Sequence, residues 1–202
     1  MAGFNAQRDR GKELLSCFFY GLPSLRTLYY LHLQNYGPSE LAKGDMQGMA
    51  AQNNITLQEL QVIDEADLAT KLASLPNQDA NKSIGLLVLP IDFCIGEAPT
   101  QAPKIIQIAQ VQKKLPTFFP IPDWAYQTAP TPAFGAYGVS QYYCGKFAGA
   151  FLVDQILWQN TSPGRLGITL APDALFQCVL NQTAANNLEI RLPDRVRRHV
   201  IP

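Results

Sequence analysis

Apolar and polar positions along this chain fall into short alternating blocks. Residues 7–20 repeat at helical spacing, with Leu14, Leu15, Phe18 and Phe19 on one side. Gly21-Leu22-Pro23 ends that run. Residues 27–33 are an apolar, aromatic-rich stretch of strand length, and Gly37-Pro38 follows. A helix is predicted over 39–53, with Asn54 in the helix-ending position where positive φ is tolerated. A strand over 55–62, a helix over 64–75 and a polar turn region over 76–82 come next. Residues 84–89, Ile-Gly-Leu-Leu-Val-Leu, are almost wholly apolar, which predicts a strand covered on both faces in the centre of a parallel sheet. Further on come a helix over 103–114, a strand over 116–119 and a proline-rich stretch over 120–132 holding a short helix. The rest reads as an extended piece over 133–137, a long helix over 140–159, an irregular segment over 165–173, a strand over 174–180 and a short helix over 182–187. Strand–helix alternation with short connections predicts an α/β fold: a parallel sheet flanked by helices on both faces, in three layers.

The 140–159 helix does not fit a self-contained domain. It carries Tyr142, Tyr143, Phe147, Phe151, Leu152, Val153, Ile156, Leu157 and Trp158, with Lys146 and Asp154 as its only charges. A helix apolar nearly all round must be buried nearly all round. Exposing four such side chains costs roughly 6–12 kcal/mol, at about 1.5–3 each. It is expected to dock on something beyond its own sheet.

Charge narrows the partners. Sixteen basic residues balance sixteen acidic ones, so no long-range field draws the chain to nucleic acid. The cluster Arg195, Arg197, Arg198 reads as solvated tail charge. Charged residues are only 16% of the chain, against about 25% in an average soluble protein. That deficit fits a surface partly covered by a partner, or one carried by uncharged polar residues. No apolar run reaches the ~18–20 residues needed to span a bilayer, and residues 1–10 lack the apolar centre of a signal peptide. Cys17, Cys94, Cys144 and Cys178 form no C-x-x-C pair, and each has an apolar or aromatic neighbour. They read as buried free thiols, with one disulfide as the alternative in an exported protein.

Catalytic constellations are not found. His32 and His199 are the only histidines. Nucleotide-binding, metalloprotease and serine-hydrolase motifs are missing. A His32–Asp92 pair at strand ends has no accompanying nucleophile or metal set. The expectation is therefore a protein that is not an enzyme, with no cofactor and no metal. Asp64, Glu65 and Asp67 cluster in a helix's first turn, where they complement the helix dipole. Four N-x-[ST] triplets, at Asn54, Asn81, Asn160 and Asn181, carry little weight.

Ligands in open parallel sheets bind at the carboxyl ends of strands, and three loops lie there. In the loop 34–39, Ser39 opens a helix, so its hydroxyl and the free N–H groups either hold a carboxylate or simply cap the helix. His32, at the end of the preceding strand, is a strand-end side chain with a hydrogen-bond partner or a ligand contact. In the loop after 84–89, Asp92 suits an ammonium and Phe93 an apolar or aromatic moiety. In Phe134-Gly135-Ala136-Tyr137-Gly138, the glycines allow a ligand or another chain to approach, or make a tight turn.

The stretch from Gly135 to Gly149 resembles a marked segment of the substrate-binding proteins of ABC importers, the uncharacterised, tryptophan/tyrosine-like group; Tyr137, Gly138, Gly145, Ala148 and Gly149 fall on its positions. Phe176 to Pro193 resembles a later segment through Asn181, Ala185, Leu188 and Pro193, and Leu22 to Leu28 resembles the opening of the second lobe. Ala2-Gly3-Phe4 is similar to the segment before it. The resemblance implies a type I periplasmic-binding fold, with two α/β lobes, a hinge and a small ligand between them. It implies that residues 1–21 cross a hinge, 22–138 form the second lobe, and 139–202 return, the first half of the first lobe being missing. The apolar helix then packs on that lobe or on a second chain as a homodimer. It implies an ABC permease as partner and a periplasmic or cell-surface location. Ser39, Asp92, Ala136 and Tyr137 match ligand-facing positions. This chain differs at His32-Leu33, where the family has Tyr-Asn, at Phe93 in place of asparagine, and at Glu189 in place of glycine. The expected function is solute binding, of an amino acid among other small organic molecules. The alternative is a truncated relative acting as a dimeric interaction or regulatory domain.

Overall fold

A computed structural model describes residues 3–5, 11–89, 101–126, 131–162, 165–166, 168–170 and 175–201. Nine strands are described: β1 (Gly3–Asn5), β2 (Thr27–Leu33), β3 (Thr56–Val62), β4 (Ile84–Val88), β5 (Thr117–Phe119), β6 (Gly135–Gly138), β7 (Ile168–Leu170), β8 (Gln177–Asn181) and β9 (Val200–Ile201). The helices are α1 (Gly11–Gly21), α2 (Gly37–Gln52), α3 (Glu65–Ala73), α4, α5 and α6 (Gln182–Asn187). In α4, Gln101–Ile105 runs on into a π-helical stretch, Ile106–Gln112; in α5, Gln141–Val153 runs on into another, Asp154–Trp158.

Seven strands form the main sheet in the order β3-β2-β4-β5-β6-β8-β9. The parallel expectation holds from β3 to β6, with β2 in register with both β3 and β4. At β8 the direction reverses: β8 pairs with β6 antiparallel, and β9 then pairs with β8 in parallel. β1 and β7 pair separately, through Gly3↔Ile168 to Asn5↔Leu170. This corrects the irregular reading of 165–173, which holds a short strand whose partner lies at the other end of the sequence.

Alternation along each strand sends side chains into two cores. On one face Leu28, Tyr30, Leu87, Leu89, Phe118 and Leu180 meet Leu14, Leu15 and Phe18 of α1, Ala42 and Met46 of α2, and Val196. Phe18 stacks on Phe118 with ring centroids 5.0 Å apart. On the other face Leu31, Val62, Leu86, Val88, Phe119, Ala136 and Val179 meet Leu68 and Leu72 of α3 and Ala102, Ile105, Ile106 and Ala109 of α4. β4 lies between β2 and β5, which is why its run is apolar on both sides.

Local signals act where expected. Asp64 caps α3 by accepting from the Asp67 N–H at 2.9 Å. Asn54 ends α2 with φ 55°. Glu189 adopts φ 55°, the left-handed conformation that favours glycine.

Two readings are corrected. Cys17 on α1 and Cys178 on β8 form a disulfide, with Cα atoms 5.8 Å apart, so these two are not free thiols. Cys144 is free and half-buried, and burial pushes its thiol up; Cys94 lies outside the described residues. The segment holding Arg195 is not a loose tail: Val196 is buried, β9 joins the sheet, and the Arg195 guanidinium stands 5.5 Å over the Tyr20 ring.

The apolar helix α5 is only partly covered: Cys144, Phe147, Phe151, Leu152 and Ile156 are half-buried. Tyr142, Leu157 and Trp158 are 68%, 72% and 80% exposed. A Cβ added at Gly145 or Gly149 would meet nothing within 4 Å. No helix among the described residues is long and apolar enough to cross a membrane.

Candidate functional site

The strands β2, β4, β5 and β6 end at one edge of the sheet, and β8 begins there. Two groups of polar and aromatic side chains gather at that edge. Leu31 pairs with Val88, Leu87 with Phe118, and Phe119 with Ala136. His32 on β2 and Tyr137 on β6 therefore stand at the same level, about 14 Å apart by three strand spacings.

The first group surrounds His32. Its side chain is wholly buried on the α2 face. Nε2 lies 2.7 Å from Glu59 Oε1 of β3, and Nδ1 lies 3.4 Å from Glu40 Oε1 of α2. The Lys43 ammonium donates to the same Glu59 oxygen at 2.6 Å and lies 3.9 Å from Glu40 Oε2. The Lys43 bond, then that from His32, holds the Glu59 carboxyl below the usual carboxylate range. The same bond raises Lys43. The Tyr30 ring lies 5.7 Å from the His32 ring and 5.8 Å from Lys43 Nζ. Burial, then Glu59, raises its hydroxyl.

Ser39 sits close by, but not as the helix opener. α2 starts at Gly37 with Tyr36 as its cap residue, because Gly37-Pro38 supplies the first turn. The Ser39 N–H donates to Tyr36 O at 3.0 Å and the residue is buried. That N–H is thus used inside the helix rather than offered to an anion.

The second group lies at the β5–β6–β8 end. Ser140 Oγ donates to Asp123 Oδ1 at 3.1 Å. The Tyr126 hydroxyl donates to Gln177 Oε1 at 2.7 Å. Burial, then the charge of Asp123, raises that hydroxyl. Tyr137 and Phe176 have ring centroids 5.9 Å apart. Beside them a cleft of about 310 Å³ is lined by Tyr126, Phe176, Gln177, Cys178, Val179, His199 and Ile201.

Ala136 and Tyr137 belong to a strand laddered on both sides, not to a turn. Ala136 is buried in the core, while Tyr137 is half-buried. The glycines beside them serve strand packing: a Cβ on Gly135 would meet Phe118 at 2.5 Å, and one on Gly138 would collide with Pro120 O. Asp92 and Phe93 lie outside the described residues. Asp123, Tyr126, Ser140 and Gln177 were not singled out from sequence. The general rule that ligands gather at strand ends covers the loop after β5, but the prolines around Asp123 read as a short helix amid loop and carried no site.

Comparison with protein-family models finds no match, and no curated protein matches. Solved structures do. A conserved domain protein from Vibrio cholerae superposes with TM-score 0.69 at 20% identity, over 98% of this chain and 61% of its own. An ABC domain in complex with L-Trp from Streptococcus pneumonia gives TM-score 0.69 at 14% identity, over 98% and 63%. A ligand-free, open substrate-binding protein with adhesive properties from Clostridium difficile gives 0.59 at 15%, over 99% and 62%. The fold is therefore the α/β periplasmic-binding type found in substrate-binding proteins. This chain spans about three fifths of the length of those structures.

Proposed function

We infer that this chain is a non-enzymatic solute-binding module, one lobe of a two-lobed clamp serving an ABC importer. The observation that carries the reading is the gathering of polar and aromatic side chains at the carboxyl edge of one parallel sheet, where this fold class takes its ligands. The solute is a small organic molecule, an amino acid by preference. Asp123, together with Asp92, suits its ammonium; Tyr126, Tyr137 and Phe93 suit its apolar part. His32, Ser39 and Ala136 lie along the same edge. The ligand of the streptococcal neighbour, L-Trp, supports this chemistry. The Cys17–Cys178 disulfide supports a periplasmic or cell-surface location, since such bonds persist in oxidising compartments. The separate β1–β7 pair supports hinge crossings at Gly3–Asn5 and Ile168–Leu170, beside the lobe that residues 22–138 build. The exposed Tyr142, Leu157 and Trp158 of α5 support docking on a first lobe.

Calorimetry with a panel of L-amino acids, on this chain and on a two-lobed form, tests the reading. Saturable heat is expected with the two-lobed form and weak or no heat with the chain alone. No binding by the two-lobed form removes the proposal. A second reading rests on the exposure of α5: an interaction domain that dimerises through this helix without binding a solute. Sedimentation showing a stable monomer removes that reading.

A further inference from the structure

We propose that the Cys17–Cys178 disulfide positions the β8 wall of the candidate solute cleft, so that the geometry of this wall depends on the redox state of one bond. The inference rests on the solute-binding reading of the cleft. Phe176, Gln177 and Cys178 all line it. Gln177 accepts from the Tyr126 hydroxyl at 2.7 Å, and the Phe176 ring centroid lies 5.9 Å from that of Tyr137. Cys178 adjoins Gln177 in the strand and faces Tyr137 across the β6–β8 ladder. Successive side chains of a strand alternate between its faces. Tyr137 and Cys178 pack toward the α1 core, and Val179 and Tyr126 toward the α3–α4 core. The bond therefore grips β8 where site contacts lie on both faces.

The far end of β8 is held better than this one. β6 pairs with the strand from Gly135↔Leu180 to Gly138↔Gln177, but on the other side β9 reaches only Leu180 and Asn181. Val179, Leu180 and Asn181 are buried. The Asn181 side-chain amide donates to Ala125 O at 2.9 Å, and its backbone N–H donates to Phe134 O at 2.9 Å. Gln177 and Cys178 are half-buried and, among the described residues, have a strand on one side only. Such an edge opens more readily than a strand laddered on both sides. Cys17 supplies the restraint. It is buried in α1, in the same core cluster as Phe18 and Leu180, with its Cα 5.8 Å from that of Cys178. The bond can be reached from the cleft that Cys178 lines. A dithiol reductant passes two electrons and two protons to the sulfurs, leaving two cysteine thiols, and closes to its own disulfide.

The test is hydrogen exchange on the full chain in three forms: oxidised, reduced with dithiothreitol, and carrying Cys17→Ser with Cys178→Ser. In both opened forms, protection over residues 176–181 and 135–138 should fall roughly tenfold further than over β2 and β4, with the far-ultraviolet circular dichroism kept. An equal fall in all strands, or no fall, would overturn the positioning role. Loss of the folded signal in both opened forms would overturn it too, since the bond would then hold the whole chain. A second arm titrates L-tryptophan, the ligand of the streptococcal neighbour, into the oxidised and the reduced two-lobed form. Reduction should weaken binding roughly tenfold, as a wall that must be ordered on binding costs affinity. Equal affinity in the two redox states would overturn the proposal. Failure of every amino acid of the panel to bind the oxidised form would instead remove the solute reading, and the exchange contrast would still decide what the bond holds.

Discussion

Cys17, buried in α1, is bonded to Cys178 on β8, across 161 residues of sequence. The bond ties a helix from the start of the chain to the strand that reverses the sheet. A loop of that length restricts the unfolded chain strongly, by about 4–5 kcal/mol in the chain-entropy treatment. Urea unfolding with and without reductant should show a loss of that order, and Cys17→Ser with Cys178→Ser should match the reduced wild type. Equal midpoints would show that the bond does not form in solution.

Gln110, buried in the π-helical part of α4, links three backbone groups. Its amide donates to Pro132 O at 2.8 Å and accepts from Phe134 N at 2.7 Å and Thr117 N at 3.4 Å. Gln110→Leu keeps the volume but leaves these groups unsatisfied, at about 1–3 kcal/mol for each well-made bond lost. The expected destabilisation is about 2–4 kcal/mol, read as a fall in urea midpoint at constant slope. A change below 1 kcal/mol would show that water replaces the amide.

Glu189 should gain from becoming glycine. Its φ of 55° costs a side-chain-bearing residue about 1 kcal/mol. Its 3.5 Å pair with Lys82 is exposed and contributes little. Glu189→Gly is expected to stabilise the chain by up to about 1 kcal/mol, whereas Glu189→Ala, which keeps the Cβ and loses the ion pair, should give no gain. Destabilisation by Gly would mean the ion pair outweighs the backbone.

Glu59 sets part of the acid limb of stability. Its carboxyl lies below the usual range because Lys43, then His32, donates to it. Its contribution is therefore present above the ordinary carboxylate range and is lost as pH falls through that range and below. Glu59→Gln should flatten the acid limb of a thermal-unfolding profile below about pH 4. It should leave the Asp79 turn intact; Asp79 is lowered by Ser83 and lies elsewhere.

Trp158 reports on α5. With Trp124→Phe it becomes the only tryptophan, and its exposure predicts red-shifted emission and ready acrylamide quenching in the isolated chain. Docking on a first lobe or a second copy should shift the emission to the blue and protect the ring. Emission that is already protected in a dilute monomer would place the helix against its own chain.

Much of the fold was legible in local patterns. The 27–33 and 182–187 elements coincide with β2 and α6, and the apolar 84–89 run becomes the central strand β4. The apolar helix shows as expected that its own sheet does not cover it. Less of the site was legible. His32 and Tyr137 were visible as strand-end residues, yet the carboxylates that surround His32 come from α2 and β3. Asp123 and Ser140 meet only because β5 and β6 are neighbours.

The sequence by itself determined the succession of strands and helices, the helix-ending role of Asn54 and the apolar character of 140–159. These rest on periodicity and backbone preference, which act over a few residues. Tertiary structure alone decided the Cys17–Cys178 pairing, the reversed β8, the β1–β7 pair and the meeting of His32, Glu40, Lys43 and Glu59. Each joins residues far apart in sequence, and which distant groups meet depends on strand order and register, which no local pattern encodes.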